Sequence, residues 1–409
     1  MRLDFNGVFP FIHRTDQEVR ETVNWPGASL ETWFAGNGYD TTTAGVTVTS
    51  DSALKHSAYW RAINLLSSQI ASFPLGLFKR LPGGDTKEIF DHPAVSLLTR
   101  QANKMMTSFI WKESTHANVL INGNGYSYIE RDGAIPTALK MLDGNNVKPK
   151  TDGDELVYEY NGELIDPYFM LHIPGLSFDG IKGKAVLQVG AESMGVGLAM
   201  QKYSANFFKN GAKQTGVLTH PQSLSAKAKD GVRDSFNKKS KDEEGGTMIL
   251  DEGMKYIPTG IPPDQQQLLQ SKQFSVQEIA RWFGIPPYLL MDESRSTFSN
   301  IENQGAEFVR YTLTQWVERW EAELNYKLLA TDEQPDHFWK FNMNSLLRGS
   351  PKERAEYYAK MQEYGNMSIN EARRLEELNS IPGGDKHLVQ INRTTLDKIG
   401  EDGKSGEAI

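Results

Sequence analysis

The 409-residue sequence predicts an α+β fold, and three observations predict it. Tyr59, Ile63, Leu66 and Ile70 recur at helical spacing. The segment DELVYEYNGELI (154–165) alternates apolar and polar residues around Asn161-Gly162, as a β-hairpin does. Val309, Leu313, Trp316, Trp320 and Leu324 step by four or three, which predicts one amphipathic helix.

Composition narrows the class. Hydrophobic residues make up 39% and charged residues 23%, ordinary values for a globular protein. A chain of this length is expected to divide into two or more substructures. It has no cysteine, which excludes disulfides, thiolate metal sites and cysteine nucleophiles. The opening MRLDFNGVFPFIHRTDQEV interrupts its apolar residues with acidic ones and does not read as a signal peptide. No run approaches the roughly 20 apolar residues of a membrane span. The net charge is −8, against the basic balance of proteins that hold nucleic acid tightly through phosphates. Contact with DNA would have to be loose or local.

Along the chain, residues 1–50 are rich in Gly, Thr and Asn and read as a partly irregular arm. SALKHSAYWRAINLLSSQIASF (52–73) is predicted as one helix, with Asp51 or Ser52 as cap and Pro74 as stop. LGLFKR reads as a strand, SFIWKESTHANVLIN as a helix, and GNGYSYIERDGAIPTALKML as two strands around Asp132-Gly133. Residues 52–175 are thus expected to form one α+β domain.

A long helix is expected over 185–210. It carries Gly190, Gly195, Gly197 and Ala199. Each interior Gly costs about 1 kcal/mol relative to Ala, so these small residues suggest close approach of a neighbouring backbone; an ordinary buried or partly irregular helix is an equal alternative. GVLTHP, the lysine-rich LSAKAKDGVRDSFNKKS, TMILDEG and MKYIPTG then read as a β-α-β-β module. The helix PDQQQLLQSKQFSVQEIARWFG follows, so two long helices flank the module. After Pro286-Pro287 comes the polar stretch DESRSTFSN (292–300). Residues 350–379 suggest a helical hairpin, with capping boxes Ser350–Glu353 and Ser368–Glu371 and Gly365 as a stop. The tail from Arg393 lacks apolar content and is expected to be disordered.

Signals for catalysis are weak. GLSFDGIKGK (175–184) fails as a phosphate loop, because Phe178 stands where the first glycine belongs and Ala185 follows the lysine. GNG at 36–38 and 123–125 are turn signals. None of the eight histidines sits at metal-ligand spacing, and there is no HExxH helix or GxSxG elbow. The basic cluster Lys227, Lys229, Arg233, Lys238, Lys239 and Lys241 is offset by Asp230, Asp234, Asp242, Glu243 and Glu244. It reads first as a solvated helix face and second as a docking or DNA-adjacent face.

Five stretches carry a resemblance. GNGYSYI (123–129), LHIPGLSFDGIKG (171–183), FFKNGA (207–212), EIARWFGIPPYLL (278–290) and LLRGSPKERAEYYAKMQEYGNMSINEARRLEELNSIPGGD (346–385) occur in this order. Together they resemble the portal proteins of tailed bacteriophages of the HK97 type, over about residues 50–390. One departure is Ala185-Val186, where the family often has Ser-Pro.

The resemblance implies a portal fold and a ring of usually twelve subunits at one capsid vertex, with double-stranded DNA passing through its channel. It divides the chain into an arm (1–50), wing (51–184), first stem helix (185–210), clip (211–262), second stem helix (263–290), tunnel loop (291–300), long helix with return strand (301–349), helical crown (350–385) and tail (386–409). Within this scheme Asp292, Glu293, Ser294, Arg295, Ser296, Thr297, Phe298, Ser299 and Asn300 would face DNA. The basic cluster on the clip would help dock terminase, and the small residues of 185–210 would pack in the stem. The implied partners are other copies of the chain, double-stranded DNA held transiently, the terminase large subunit, a head–tail adaptor, and a major capsid or scaffolding protein. No enzyme activity, cofactor, metal or membrane is implied. The implied location is the virion, and the host cytoplasm during assembly. The alternatives are the portal of a gene transfer agent or prophage particle, another virion structural protein, or a metal-dependent nucleic-acid hydrolase.

Overall fold

Thr49 opens the first helix, and the break after it sets the arrangement of the helices that follow. The computed structural model describes residues 42–152, 155–209, 216–221, 225–241, 254–258, 265–292, 304–343, 351–376 and 378–388. They fall into two compact units, Met1–Asn342 and Met343–Ile409. In the first unit, the predicted single helix is two: α1 (Ser50–Leu54) and α2 (Ser57–Ser72). Thr49 and Ser52 close a reciprocal capping box, so the cap lies earlier than expected. The break falls at His56, whose backbone is extended, with φ −81° and ψ 119°. His56 is half-buried, and its Nδ1 is buried without a hydrogen-bond partner in the described structure.

Two antiparallel sheets organise the core. β1 (Leu75–Arg80) and β2 (Thr86–Ile89) are followed by α3 (Pro93–Thr99), β3 (Gln101–Asn103), β4 (Met106–Thr107) and α4 (Ser108–Asn122). His92 precedes Pro93 in extended backbone, and its Nδ1 accepts from the Ala94 N–H as a helix cap. β5 (Asn124–Asp132) and β6 (Ile135–Leu142) form the predicted hairpin, with Gly133 at φ 60°. β7 (Val147–Asp152), β8 (Glu155–Tyr160) and β9 (Glu163–Ile165) make a three-stranded sheet. Asn161 and Gly162 take positive φ at its β8–β9 turn, as an Asn-Gly hairpin requires. β10 (Met170–Pro174) returns to pair with β5.

The long segments come next. α5 (Val186–Lys209) is followed by β11 (Gly216–Thr219), α6 (Ala226–Lys241), β12 (Lys255–Pro258) and α7 (Gln265–Phe283). β11 pairs with β12. The expected strand TMILDEG lies outside the described residues, so the module is described as β-α-β. From residue 304 the chain is helical, first through the π turns of Phe308–Leu313 and then as α8 (Thr314–Leu328). β13 (His337–Phe341) completes the order β13-β1-β2.

The predicted stripe of this last helix needs one correction. Val309, Leu313, Trp320 and Leu324 are buried, but Val317 takes the inward position assigned to Trp316. Val317 lies four residues after Leu313 and three before Trp320, a step as helical as the one through Trp316, and the smaller side chain takes the buried place. Trp316 is half-buried, edge-on to His116 at 4.9 Å. Trp320 crosses Trp111 edge to face at 5.5 Å, a favoured aromatic geometry. Both indoles find acceptors: Trp111 Nε1–H donates to Ser127 Oγ at 3.0 Å, and Trp320 Nε1–H donates to His116 Nδ1 at 3.2 Å. α8 also closes the edge of β13. Asn325 Oδ1 accepts from the Trp339 N–H, and Glu321 Oε1 accepts from the Phe341 N–H.

In the second unit, α9 (Pro351–Glu363) ends at Gly365, which has φ 71°. The Asn366 N–H reaches the Met361 carbonyl at 2.9 Å and the Gly365 N–H reaches Gln362 at 3.0 Å, a Schellman cap. α10 (Ile369–Leu375) opens with the predicted box between Ser368 and Glu371. Ser350 of the other expected box lies outside the described residues, as do the tail from residue 389 and the arm before residue 42.

Candidate functional site

The helix pair α5 and α7, together with the junctions at its ends, carries Gly190, Gly195, Gly197, Ala199 and Asp292 of the residues singled out in the sequence. The junction before α5 is built on glycine. Gly123 has φ 81°, and a Cβ there would lie 2.4 Å from the Gly183 carbonyl oxygen. A Cβ on Gly183 would lie 2.1 Å from the Gly123 oxygen and 2.4 Å from the Gly175 nitrogen. Asn124 then pairs with Gly183 as a strand would: Nδ2 donates to its carbonyl at 2.9 Å and Oδ1 accepts from its N–H at 2.8 Å. The same Oδ1 accepts from His172 Nε2–H at 3.0 Å, and His172 Nδ1 accepts from the Tyr158 hydroxyl at 3.1 Å. This pairing assigns the His172 proton to Nε2. Burial, the largest cause, lowers the His172 pKa to about 3.

The stretch 175–184 commits several of its amides to the fold. The Gly175 N–H donates to Gly123, and Asp179 Oδ1 accepts from the Ile181 and Lys182 N–H groups at 2.8 Å. These amides build a loop that holds the start of α5.

On α5, the glycines meet groups of their own chain. A Cβ on Gly190 would lie 3.2 Å from the Trp282 ring, and one on Gly197 would lie 2.6 Å from Ser275 Oγ and 3.5 Å from His56 Nε2. A Cβ on Gly195 would lie 2.4 Å from Thr42 Oγ1. Ser193 donates to Glu278 of α7 at 3.3 Å, and Thr43 donates through its hydroxyl to Glu192 at 2.6 Å. Ala199 is half-exposed.

α7 ends in a second Schellman cap. The Ile285 N–H reaches the Ala280 carbonyl, the Gly284 N–H reaches Arg281, and Gly284 has φ 64°. Pro286 and the 3-10 turn Pro287–Leu290 follow, and Met291 adopts φ 64°. Three side chains fix this turn. Thr312 Oγ donates to the Gly284 carbonyl, Arg61 Nε donates to Leu289 O at 3.2 Å, and Gln277 donates to Asp292 at 3.4 Å. Asp292 is thus held at the start of the polar stretch; Glu293 to Asn300 lie outside the described residues.

On α6, Lys227, Lys229 and Arg233 are exposed, and Arg233 pairs with Asp230 at 3.3 Å. An ion pair this exposed contributes little stability. The side chains of Lys238, Lys239 and Lys241 lie outside the described residues. Among the described residues, no group of three acidic or histidine side chains is placed to hold a metal, and no helix is long and apolar enough to cross a membrane.

Sequence reasoning missed the Asn124–His172–Tyr158 chain, although GNG followed by a histidine strand carried a signal. It also missed Glu323 on α8, whose carboxyl is pushed up to about 7 by burial against a partial offset from Lys327.

The Phage portal protein family profile matches residues 57–377. The chain belongs to this portal family. It is 28% identical to the portal protein of Enterobacteria phage HK97, over 94% of this chain and 96% of that relative. The fold matches the HK97 family phage portal protein from Corynebacterium diphtheriae with a TM-score of 0.57 and 19% identity, covering 76% of this chain and 98% of that one. It also matches a chain in the neck of a native gene transfer agent particle computed with C12 symmetry. There the TM-score is 0.52 and the identity 20%, with 81% of this chain and 94% of that one covered.

Proposed function

We propose that this chain is the portal subunit of a phage-type particle. Twelve copies close into a ring at one capsid vertex, and double-stranded DNA enters through its channel during packaging and leaves through it at ejection. The observation that carries this reading is the family match over residues 57–377. The like-folded chain in a twelve-fold neck supports the ring count.

Within this reading α5 and α7 form the stem, and residues 211–262 form the clip. The terminase large subunit docks on the clip during packaging and a head–tail adaptor replaces it, with Lys227, Lys229 and Arg233 exposed for such contact. Capsid or scaffolding protein surrounds the ring, which works in the virion after assembly in the host cytoplasm. The ring conducts DNA and catalyses nothing; phosphate-bond hydrolysis belongs to the docked motor.

Residues 292–300 are the proposed DNA contact. Their hydroxyl groups and Arg295 can hydrogen-bond phosphates without reading sequence, while Asp292 and Glu293 keep the attraction small. A net charge of −8 fits a channel that must let DNA slide, since every phosphate contact retained adds affinity. The fixed turn at 284–292 gives the stretch a rigid foot.

The test has two arms. Light scattering and electron microscopy of the purified chain should give a ring of twelve 45.9 kDa copies, about 550 kDa. Arg295→Glu should change packaging or DNA retention and leave the ring mass unaltered. A chain that stays monomeric at every concentration sinks the ring reading, and an Arg295→Glu variant that cannot form rings makes the stretch an assembly element. A second reading, the portal of a gene transfer agent, rests on the neck structure. Host-derived rather than phage-derived DNA inside purified particles would select it.

A further inference from the structure

Six asparagines stand directly before a glycine: Asn6, Asn37, Asn122, Asn124, Asn161 and Asn210. Asparagine is thermally labile, and a following glycine lacks the Cβ that would hold its own nitrogen away from the carboxamide. The three pairs within the described residues differ in what restrains them. Asn122 is half-buried at the end of α4. Its Nδ2 donates to Asn118 Oδ1 at 3.1 Å, and the Gly123 N–H donates to the Val119 carbonyl at 2.9 Å. Asn124 is buried, both ends of its amide bond Gly183, and Gly125 is pressed against Thr115 and paired with Ile173 of β10. Among the described residues, no hydrogen bond ties down the Asn161 carboxamide. Asn161 and Gly162 are exposed, at φ 53° and 90°, and the β8–β9 ladder closes before them at Tyr160–Glu163. A Cβ on Gly162 would meet nothing described within 4 Å, so the Asn161 side chain has room to fold over the Gly162 nitrogen.

We propose that Asn161 is a modification site, where the amide converts spontaneously to aspartate and isoaspartate and the isoaspartyl product unpins β9. The Gly162 nitrogen loses its proton to a base in solution and attacks Asn161 Cγ. An N–Cγ bond forms, the Cγ–Nδ2 bond breaks, and ammonia leaves. Water then opens the cyclic imide at either carbonyl, giving an aspartyl or an isoaspartyl link. One water enters and one ammonia departs, with no redox partner, and each event adds one negative charge. In the isoaspartyl form the chain runs through the side-chain carbon and gains one backbone atom. A two-residue turn cannot absorb that atom and keep Tyr160 opposite Glu163. β9 is three residues long, and it seats Ile165 in the cluster of Tyr126, Leu142, Val147, Tyr158 and Met170. The assignment does not depend on the ring reading.

The purified full chain is aged in mildly alkaline buffer and digested, and its asparagine peptides are weighed by mass spectrometry, with each site read from fragment ions. Asn161 should convert at least about tenfold faster than Asn122 and Asn124, which must first open locally. In urea this difference should shrink, because all three precede a glycine. Equal rates at the three sites in the folded chain, or an Asn161 that converts only in urea, overturn the site. Isoaspartyl methyltransferase labels the rearranged link alone, and Asn161→Gly, which a hairpin turn accepts, should remove the label from this peptide. Limited proteolysis reads the consequence. Aged wild-type chains should be cut between Asn161 and Phe169 faster than fresh ones, and aged Asn161→Gly chains should not. Isoaspartyl chains as resistant as fresh ones overturn the unpinning of β9.

Discussion

Two sets of three glycines do opposite things in this molecule. At the junction before α5, Gly123, Gly175 and Gly183 bring backbone against backbone, and the nearest atoms to an added Cβ are carbonyl oxygens and peptide nitrogens at 2.1 to 3.1 Å. Along α5, Gly190, Gly195 and Gly197 bring a helix against side chains of Trp282, Thr42 and Ser275. Backbone cannot step aside without moving a strand, whereas a threonine or serine can change rotamer. Glycine count says nothing of this difference; what each missing Cβ would touch decides it.

The comparison can be broken at either set. Gly183→Ala should cost the most, about 3–5 kcal/mol, because two backbone segments must part and Asn124 loses its paired partner. Urea unfolding followed by circular dichroism measures it, and a loss below about 1 kcal/mol would mean that the junction is looser than described. The junction should also be the acid-sensitive side. His172 is held neutral with a pKa of about 3, against 6.5 when unfolded. The unfolded chain therefore binds the extra proton, and stability falls as pH drops below 6.5 toward 3. His116, buried with a pKa of about 3, acts in the same direction. His172→Gln should remove up to about 1.4 kcal/mol per pH unit of this dependence, read from unfolding midpoints at pH 7 and pH 5.

Glu323 sharpens the contrast from the other end of the scale. Its folded value of about 7 lies above its ordinary 4.5, so the protonated form is favoured in the fold. Its contribution is present below pH 4.5 and is lost as pH rises through 7. Glu323→Gln should stabilise the chain at pH 8 by up to about 3 kcal/mol and do little at pH 4.5, the reverse of the histidine effect.

The helix glycines should give the smaller effects. Gly195→Ala must displace Thr42, so a net loss of about 1 kcal/mol is expected after the helix gain of alanine is set against the clash. Gly190→Ala meets only the Trp282 ring at 3.2 Å, and the gain of about 1 kcal/mol from helix propensity should leave it within about 0.5 kcal/mol of neutral. A Gly190 variant as damaging as the Gly183 one would erase the distinction.

Much of the fold could be read from local signals. Pro74, Asn161-Gly162, Gly365 and the Ser368–Glu371 box each act through backbone chemistry within a few residues, and each stands where the pattern placed it. The misread elements depend on distant partners. The split at His56 follows from the place of that ring beside Gly197, 141 positions away in sequence (197 − 56). Trp316 and Val317 exchanged places because steps of three and of four are both helical, so periodicity alone does not choose between them. The described neighbours of the α5 glycines belong to the same chain, and a sequence does not say to which chain an approaching surface belongs.

The wide turn at Phe308–Leu313 has one more effect. The Thr314 N–H and hydroxyl both return to the Val309 carbonyl, five residues back, so the helix accommodates a surplus residue. On one side of it Thr312 grips the Gly284 cap, and on the other Val317, Trp320 and Leu324 fill the tryptophan core. The widened turn thus stands between the contact with the α7 cap and the tryptophan core, and both hang on one continuous helical segment. A change at the α7 cap meets this turn before it meets the packing around Trp111 and Trp320.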